Sequence, residues 1–200
     1  MHERAAQVFR LLTDRIVKLD PEEAELAKLF TNNWRYLKFA VANQFYMIAN
    51  SNGLDFERIR AALADGYPRA SDLPRAGFAA GPCLLKDTMQ LAAFNDNNYF
   101  LGHSAMLINE GLPLHVVQRL EAAYDLSDMT VGILGMAFKA RRVLCTDPYV
   151  TTDLNLVPLE KVLAESDAIV VGAPHPHYRN LRVDVPVADV WGILGDGVRI

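Results

Sequence analysis

The longest helical pattern in the chain runs from Pro21 to about residue 52, and it limits the possible folds more than any other feature. Asp20 stands where an N-cap belongs, Pro21 occupies the first turn, and Glu23 follows the cap by three residues. Gly53 ends the pattern. A helix of roughly thirty residues is about 45 Å long, which is longer than a small domain needs.

The apolar side chains of this helix recur at intervals of three and four residues, which places them on one face. They are Leu26, Phe30, Trp34, Leu37, Val41, Phe45 and Ile48. Other apolar residues lie on the remaining sides, so the helix is apolar nearly all round. Because one domain cannot cover so much apolar surface, we expect a homodimer built on the 21–52 helix.

Composition excludes several other classes of protein. The 200 residues carry a formal net charge of −4, and half of them are apolar. Lysine and arginine are scattered rather than clustered, so we expect no nucleic-acid partner. No apolar run approaches the length of a membrane span, so we expect no membrane association. Two cysteines make no disulfide framework, which fits a cytoplasmic location.

One of these cysteines, Cys83, follows a Gly-Pro turn and opens an apolar helical stretch. Unpaired N–H groups at a helix N-terminus stabilise a thiolate, so this position favours a reactive sulfur. Asp87 lies one turn further on the same face, where a carboxylate can accept a proton from water. Taken alone, a buried structural cysteine is the commoner explanation, but the turn at Gly81 and Pro82 favours a functional one.

Lys28 and Asn32 lie four residues apart on a less apolar side of the long helix and are therefore neighbours. By itself this pair is typical of a solvated surface.

Short apolar runs at 131–134, 143–145 and 168–171 in the last third predict buried parallel strands, with a helix after Pro158. The chain is thus predicted to be an α/β protein: an all-helical central domain, then a partial Rossmann-like doubly wound sheet. Such sheets bind ligands at the carboxyl ends of their strands. His175 and His177 follow the third strand, but a polar loop explains them better than a metal site, so no metal is expected.

Four segments in this order carry a family resemblance: AELAKLFTNN, GFAAGPCLLKD, VGILGMAFK and CTDPYV. Together they resemble the UDP-glucose/GDP-mannose dehydrogenase family, most specifically through Cys-x-x-Lys-Asp. The resemblance implies a nucleophilic Cys83, an oxyanion held by Lys28 and Asn32, and water activated by Asp87. It further implies that the substrate is contacted by Lys139, Gly81 and Arg199. The cofactor contact that it implies comes from Lys86.

The implied function is a nucleotide-sugar 6-dehydrogenase. Such an enzyme oxidises a primary alcohol to a carboxylate in two NAD-dependent steps through a cysteine thiohemiacetal and thioester. UDP-glucose is the first expected substrate, with GDP-mannose and N-acetylated hexosamine nucleotides as alternatives. The second hypothesis is a catalytically inactive, dimerising module that binds nucleotide sugars. A thiol hydrolase using Cys83 with His103 is a weaker third, because no spacing signal supports it.

The resemblance divides the chain into three parts. Residues 1–19 resemble the last helix and strand of an N-terminal NAD-binding Rossmann domain. Residues 20–126 form the central dimerisation domain, which contains the cysteine, and residues 127–200 form the sugar-nucleotide domain.

The link between the first two predicted strands is too short for a normal parallel crossover, which needs a dozen or more residues. As printed, the two strands are therefore not expected to be parallel neighbours. Either they form an antiparallel hairpin, or a crossover of about thirty residues is missing between Phe138 and Arg142. The second alternative predicts that Ala140 and Arg141 are not neighbours in the native chain.

Overall fold

A computed structural model describes residues 2–79, 81–135 and 143–195 of the chain. The first part is helical, and its helices are α1 (His2–Phe9), α2 (Pro21–Ser51), α3 (Phe56–Ala64), α4 (Pro82–Phe94) and α5 (Phe100–Ala123). The second part alternates strand and helix, as β1 (Val131–Leu134), β2 (Val143–Thr146), α6 (Leu159–Glu165), β3 (Ala168–Val171) and β4 (Val187–Ala188). A 3₁₀ turn at Pro176–Tyr178 follows β3. The α/β class expected from the sequence is confirmed.

Helix α2 begins and ends where its capping residues predict. Asp20 is extended at the N-cap, and its side chain and that of Glu23 form a reciprocal capping box. The Glu23 carboxylate accepts a hydrogen bond from the Asp20 backbone N–H at 3.1 Å. At the other end, the N–H of Asn52 bonds back to Ala49 and Asn50. The long helix is therefore confirmed over 31 residues.

The core of the helical part uses a different face of α2 from the large apolar stripe. Its buried face consists of small, amide and tyrosine side chains: Asn33, Tyr36, Ala40, Ala42, Asn43, Tyr46 and Ala49. This face packs against α4 and α5. Small side chains let the three helices approach closely, and the amides need polar partners there. The stripe from Phe30 to Ile48 is left half exposed.

The second part is a four-stranded parallel sheet in the order β2-β1-β3-β4. Val131 pairs with Val143 and with Ala168, so the three longer strands start level. Helix α6 packs against β1 and β2. Leu134, Val162, Ile169 and Val171 form the centre of this core and are fully buried. The partial doubly wound sheet predicted from the apolar runs is confirmed.

The structure corrects one expectation about β1 and β2. The two strands are parallel neighbours in register. The antiparallel hairpin is therefore wrong. The expectation that this chain could not pair the two strands in parallel is also wrong. The proposed discontinuity between Ala140 and Arg141 lies outside the described residues.

The first 19 residues contain helix α1, but their described part contains no strand. The strand half of the expected Rossmann remnant is therefore not formed here. The domain boundaries themselves stay predictions. None of the described helices combines the length and apolar character that a membrane crossing requires.

Candidate functional site

Cys83 is the second residue of α4 and is exposed. Gly81 is the N-cap with φ 102°, a conformation that L-residues with a side chain rarely adopt. Pro82 then occupies the first helical position, where its missing N–H costs nothing. The Gly-Pro pair thus turns the chain sharply into α4, and the prediction that Cys83 stands at a helix N-terminus is confirmed. Gly81 lies beside the sulfur in sequence and is itself exposed.

One turn after Cys83, the carboxylate of Asp87 is fully buried; it accepts hydrogen bonds from two side chains and forms an ion pair with a third. The Lys28 ammonium and the Asn32 amide both donate to its Oδ2, the latter at 2.5 Å. Lys86 Nζ lies 2.8 Å from its other oxygen, Oδ1. The structure therefore unites Lys28, Asn32 and Asp87, which the sequence separates by more than fifty residues. We name these residues, with Lys86, the Asp87 cluster.

The packing of α2 against α4 places these groups together. Lys28 and Asn32 are one turn apart on α2, so both side chains reach the same point on α4. The neighbouring Asn33 is buried and donates to the Leu29 carbonyl at 2.8 Å and to the Asp87 carbonyl at 3.3 Å. Sequence reasoning did not single out Asn33. Two consecutive asparagines within a helix, where asparagine is a poor helix former, were the available signal.

The electrostatics of the cluster favour an ionised carboxylate. The Lys28 ammonium, followed by Lys86 and Asn32, holds the pKa of Asp87 well below its usual range. In return, Asp87 raises the pKa of Lys86, and the nearby Cys83 adds to this effect. Two ammonium groups surround one carboxylate, so the cluster keeps a net positive charge beside the sulfur.

A cavity of about 670 Å³ lies between the helical part and the sheet. Its walls come from both parts of the chain and are formed by Phe39, Pro74, Arg75, Pro174, Arg179, Trp191, Gly192 and Ile193. Pro174 lies just beyond the carboxyl end of β3, where parallel sheets bind ligands. Arg75 also pairs with Glu57 at 3.1 Å. The cavity can therefore offer guanidinium and aromatic contacts to an anionic ligand.

The two histidines after β3 are engaged with neighbouring side chains. His175 Nε2 lies 3.2 Å from Asp147 Oδ2, and the Tyr149 ring packs edge-on against both His175 and His177. Burial, followed by the charge of Asp147, raises the pKa of the adjacent Tyr178 to about 12. Within residues 2–79, 81–135 and 143–195, no group of three potential ligands could hold a metal ion.

Two of the expected site residues, Lys139 and Arg199, lie outside the described residues. Lys86, expected at the cofactor, is placed by the structure in the Asp87 cluster. His103, the expected partner of Cys83 in the thiol-hydrolase hypothesis, lies on α5.

Fold and site together define a class of protein: an α/β chain in which a cysteine at a helix N-terminus stands beside a buried carboxylate-lysine cluster. Residues 22–110 match the sequence profile of the UDP-glucose/GDP-mannose dehydrogenase family, central domain. The resemblance to this family that the sequence suggested is thereby confirmed over residues 22–110.

Relatives extend the similarity to nearly the whole chain. The UDP-N-acetyl-D-mannosamine dehydrogenase of Pyrococcus horikoshii is 28% identical over 224 residues, covering 98% of this chain and 50% of that protein. The Yersinia pestis enzyme of the same name is 31% identical over 68% of this chain and 34% of its own. The Haloferax volcanii UDP-glucose 6-dehydrogenase is 28% identical over 98% of this chain and 46% of its own. The chain thus spans about half the length of such relatives, or less.

Solved structures agree with the fold. The UDP-N-acetyl-mannosamine dehydrogenase structure from Pyrococcus horikoshii superposes with a TM-score of 0.82 at 26% identity, covering 98% of this chain and 54% of that one. The UDP-glucose dehydrogenase structure from Pyrobaculum islandicum gives 0.80 at 23% identity over 96% of this chain and 54% of that one, which supports the fold alone.

The Pyrococcus alignment also bears on the short β1–β2 link. This chain contributes 98% of its 200 residues, or 196, to an alignment of 224. About 28 positions of the relative therefore have no counterpart here. For the Haloferax volcanii relative the same comparison leaves only about 13 positions, so the length and the location of a missing crossover both stay predictions.

Proposed function

We propose that the chain carries the thiol chemistry of an NAD-dependent nucleotide-sugar dehydrogenase. The observation that carries the proposal is the Asp87 cluster one turn from Cys83 at the N-terminus of α4. An exposed sulfur beside a net positive cluster is suited to forming a covalent adduct and stabilising the oxyanion that results. The match of residues 22–110 to the central domain of the UDP-glucose/GDP-mannose dehydrogenase family supports this proposal.

In the proposed reaction, the Cys83 sulfur adds to the carbonyl carbon of the sugar aldehyde. The C–S bond forms as the carbonyl π electrons move to oxygen, which gives a thiohemiacetal oxyanion. Loss of hydride from that carbon restores the C=O bond and leaves a thioester. Water then adds to the thioester, and the C–S bond breaks to release the carboxylate and the free thiol.

Lys28 and Asn32 have donors to spare for the oxyanion. An ammonium group carries three N–H bonds and an amide two, and each side chain uses one for Asp87 Oδ2. The remaining N–H bonds can point toward the sulfur side of the cluster. The Lys28 side chain is more than half exposed, so it can turn toward a substrate without breaking the core.

The main role that we propose for Asp87 is to hold these two donors in place. Its carboxylate is buried, and its pKa is lowered, so it binds a proton weakly at neutral pH. Activation of water, the role expected from the sequence, would require one donor to move aside during thioester hydrolysis. Lys86 shares the carboxylate and places a positive charge near Cys83.

When bound, NAD accepts the hydride in each of the two oxidations. Among the described residues, no glycine-rich loop opens a helix in the way that dinucleotide pyrophosphates require. Lys86 is the described residue that we assign to the cofactor side, and its charge fits an anionic ligand. Lys86 also forms an ion pair with Asp87. We assign no other described residue to the NAD site.

The substrate we propose is a nucleoside diphosphate sugar, with its nucleotide half in the cavity between the helical part and the sheet. Arg75, Arg179 and Trp191 there match a diphosphate and a base in chemistry. Gly81, Lys139 and Arg199 are proposed as further contacts. UDP-N-acetylmannosamine joins UDP-glucose as a first candidate sugar, because relatives over the whole chain length carry both names.

We further propose that two copies associate through the exposed stripe of α2, defined by Phe30, Trp34, Val41, Phe45 and Ile48. These side chains are each 46–60% exposed and lie on the face of the helix that the core leaves free. Leu63 and Leu73 border the stripe and widen its apolar surface. A second copy of the same helix would cover it with a self-complementary surface.

The test is an assay of the complete gene product that contains this chain, with NAD and a panel of UDP-sugars, read as NADH formation. Cys83→Ser should abolish acid formation and leave sugar-nucleotide affinity within a few fold, because the thiol serves chemistry rather than binding. Unchanged turnover in Cys83→Ser would contradict the proposal. Tight nucleotide-sugar binding without any NADH would instead support the inactive dimerising module.

A further inference from the structure

The segment before Cys83 is attached to α2 through a buried amide. Asn43 is fully buried and makes two hydrogen bonds with a single residue of this segment. The N–H of Gly77 donates to Asn43 Oδ1 at 2.8 Å, and Asn43 Nδ2 donates to the Gly77 carbonyl at 3.0 Å. The side chain therefore pairs with Gly77 as a neighbouring β-strand would, and it fixes both the position and the direction of the backbone.

A second amide fixes Asn43 itself. Asn43 Nδ2 also donates to Asn109 Oδ1 at 2.9 Å, and Asn109 Nδ2 donates to the Tyr36 carbonyl at 3.0 Å. Both asparagines are buried, so turning either amide would leave polar atoms unpaired in the core. The Asn43 amide thus has one orientation available to it, and Gly77 meets a rigid partner.

The opposite side of Gly77 is closed by the sheet part of the chain. A Cβ atom at Gly77 would lie 2.2 Å from Trp191 Cζ3, so only glycine fits beside this ring. The adjacent Phe78 packs edge-on against the same indole, with ring centroids 6.4 Å apart. Gly77 is therefore enclosed between an amide of α2 and an indole that follows β4.

The segment has further anchors on the way to Cys83. Ala76 is buried in the core formed by α2 and α5, and Ala79 packs against the core that contains Leu84 of α4. Gly81 then caps α4. With Gly77 held only six residues before the sulfur, the approach of the chain to α4 is determined from both parts of the molecule.

We propose that Asn43 and Trp191 are positioning residues for Cys83, acting as a two-sided clamp on Gly77. The clamp sets where the first turn of α4 begins and therefore where the sulfur lies relative to the Asp87 cluster. Because Trp191 also lines the cavity between the two parts, the sulfur is held in register with that cavity. The catalytic consequence rests on the proposed function, whereas the clamp itself can be tested without activity.

The test compares Asn43→Ala with the matched variant Asn109→Ala. Both delete a buried amide, but only the first removes the two hydrogen bonds to Gly77. Amide hydrogen exchange, resolved by peptide, should become about tenfold faster over residues 74–79 in Asn43→Ala. It should rise by less than about threefold there in Asn109→Ala, which loosens Asn43 but leaves both hydrogen bonds to Gly77 in place. In the complete gene product, kcat should fall about a hundredfold in Asn43→Ala with KM nearly constant, as expected for a misplaced reacting group. Asn109→Ala should lower kcat by less than about tenfold.

A second pair of variants tests the other side of the clamp and does not depend on Asn43→Ala folding. Gly77→Ala should slow turnover and expose the 74–79 segment to exchange, and Trp191→Leu added to it should restore part of the protection from exchange, because the ring that meets the new Cβ is gone. Equal exchange and equal kcat in the two asparagine variants, or no rescue by Trp191→Leu, would overturn the clamp. If the unaltered enzyme forms no NADH, the proposed function fails, and the exchange comparison still decides the clamp.

Discussion

The exposed stripe of α2 gives the most direct test of how this chain assembles. Phe45 lies on the stripe and is 46% exposed, so it would be covered in a dimer built on α2. We predict that Phe45→Glu abolishes the dimer. The substitution removes apolar surface from the proposed interface and places a carboxylate there.

The size of the effect follows from the exposed areas. Aromatic side chains bury about 150–250 Å² each when covered, so a half-exposed one still offers about 100 Å². The five stripe residues then offer on the order of 450 Å² per chain, and at about 25 cal/mol per Å² two chains gain roughly 20 kcal/mol. Association costs about 4–15 kcal/mol. The remainder is roughly 5–16 kcal/mol, a range that includes the value of about 8 kcal/mol that corresponds to a dissociation constant of 1 μM.

Phe45→Glu should weaken the dimer by more than the area of one Phe45 side chain suggests, because a two-fold interface contains this position twice. Losing about 100 Å² from each chain removes roughly 5 kcal/mol, which weakens the dimer by more than about a thousandfold. The cost of desolvating two carboxylates adds to this.

Sedimentation velocity between about 0.1 and 100 μM measures the outcome. The unaltered chain should sediment as a dimer at the upper end of this range and Phe45→Glu as a monomer throughout. Leu154→Glu is the control, because Leu154 is 98% exposed but lies in the sheet part, away from the stripe. A monomeric unaltered chain at 100 μM, or a Phe45→Glu chain that still dimerises, would refute the reasoning.

Three further outcomes concern stability. Asp87→Asn should lower the melting temperature at pH 7, and the difference should shrink progressively once the pH falls below about 4; the native pKa of Asp87 is depressed, so its stabilisation is complete above the unfolded-state pKa and is lost as the pH falls through the native pKa. A difference that grows on acidification, followed by circular dichroism, would contradict this. Leu112→Ala, at a fully buried site, should cost about 2–5 kcal/mol in urea unfolding, and a cost below about 1 kcal/mol would show that the site is not tightly packed. Gly132→Ala should destabilise by about 1–3 kcal/mol because its Cβ would lie 2.5 Å from Ser166 Oγ; Gly111→Ala has open space around it and should be neutral or stabilising, so equal effects of the two would argue against the close contact.

The elements that depend on near neighbours in the chain were predictable from the sequence. The α2 helix starts at its capping box and stops at Asn52 just before Gly53, because caps act through hydrogen bonds within four residues. Cys83 stands at a helix N-terminus because Gly81 and Pro82 bend the backbone locally. The strands form at short apolar runs bounded by polar residues.

Periodicity also separated the two faces of α2, but it did not identify which face the molecule would use for its own core. The large apolar residues repeat most regularly, yet the chain packs its alanines and asparagines inside and leaves the large residues exposed. A repeat of apolar positions shows that a face needs a partner, and only the placement of α4 and α5 shows which face they cover.

The site was predicted as a set of residue types, and its geometry came from tertiary packing. Lys28 and Asn32 meet Asp87 because α2 lies against α4, and hydrogen bonds across that contact depend on the position and rotation of both helices rather than on any spacing in the sequence. The expected oxyanion donors are consequently found bound to the carboxylate.

The pairing of Asn43 with Gly77 and the approach of Trp191 had no local signal at all, because each joins residues distant along the chain. The parallel pairing of β1 and β2 was likewise not predictable from the short link between them, because the order of strands in a sheet depends on which strands bury their faces together. Local hydrogen bonds decide where elements begin and end; burial shared between distant segments decides how they meet, and in this chain the reactive sulfur, its donors and its clamp all depend on the second.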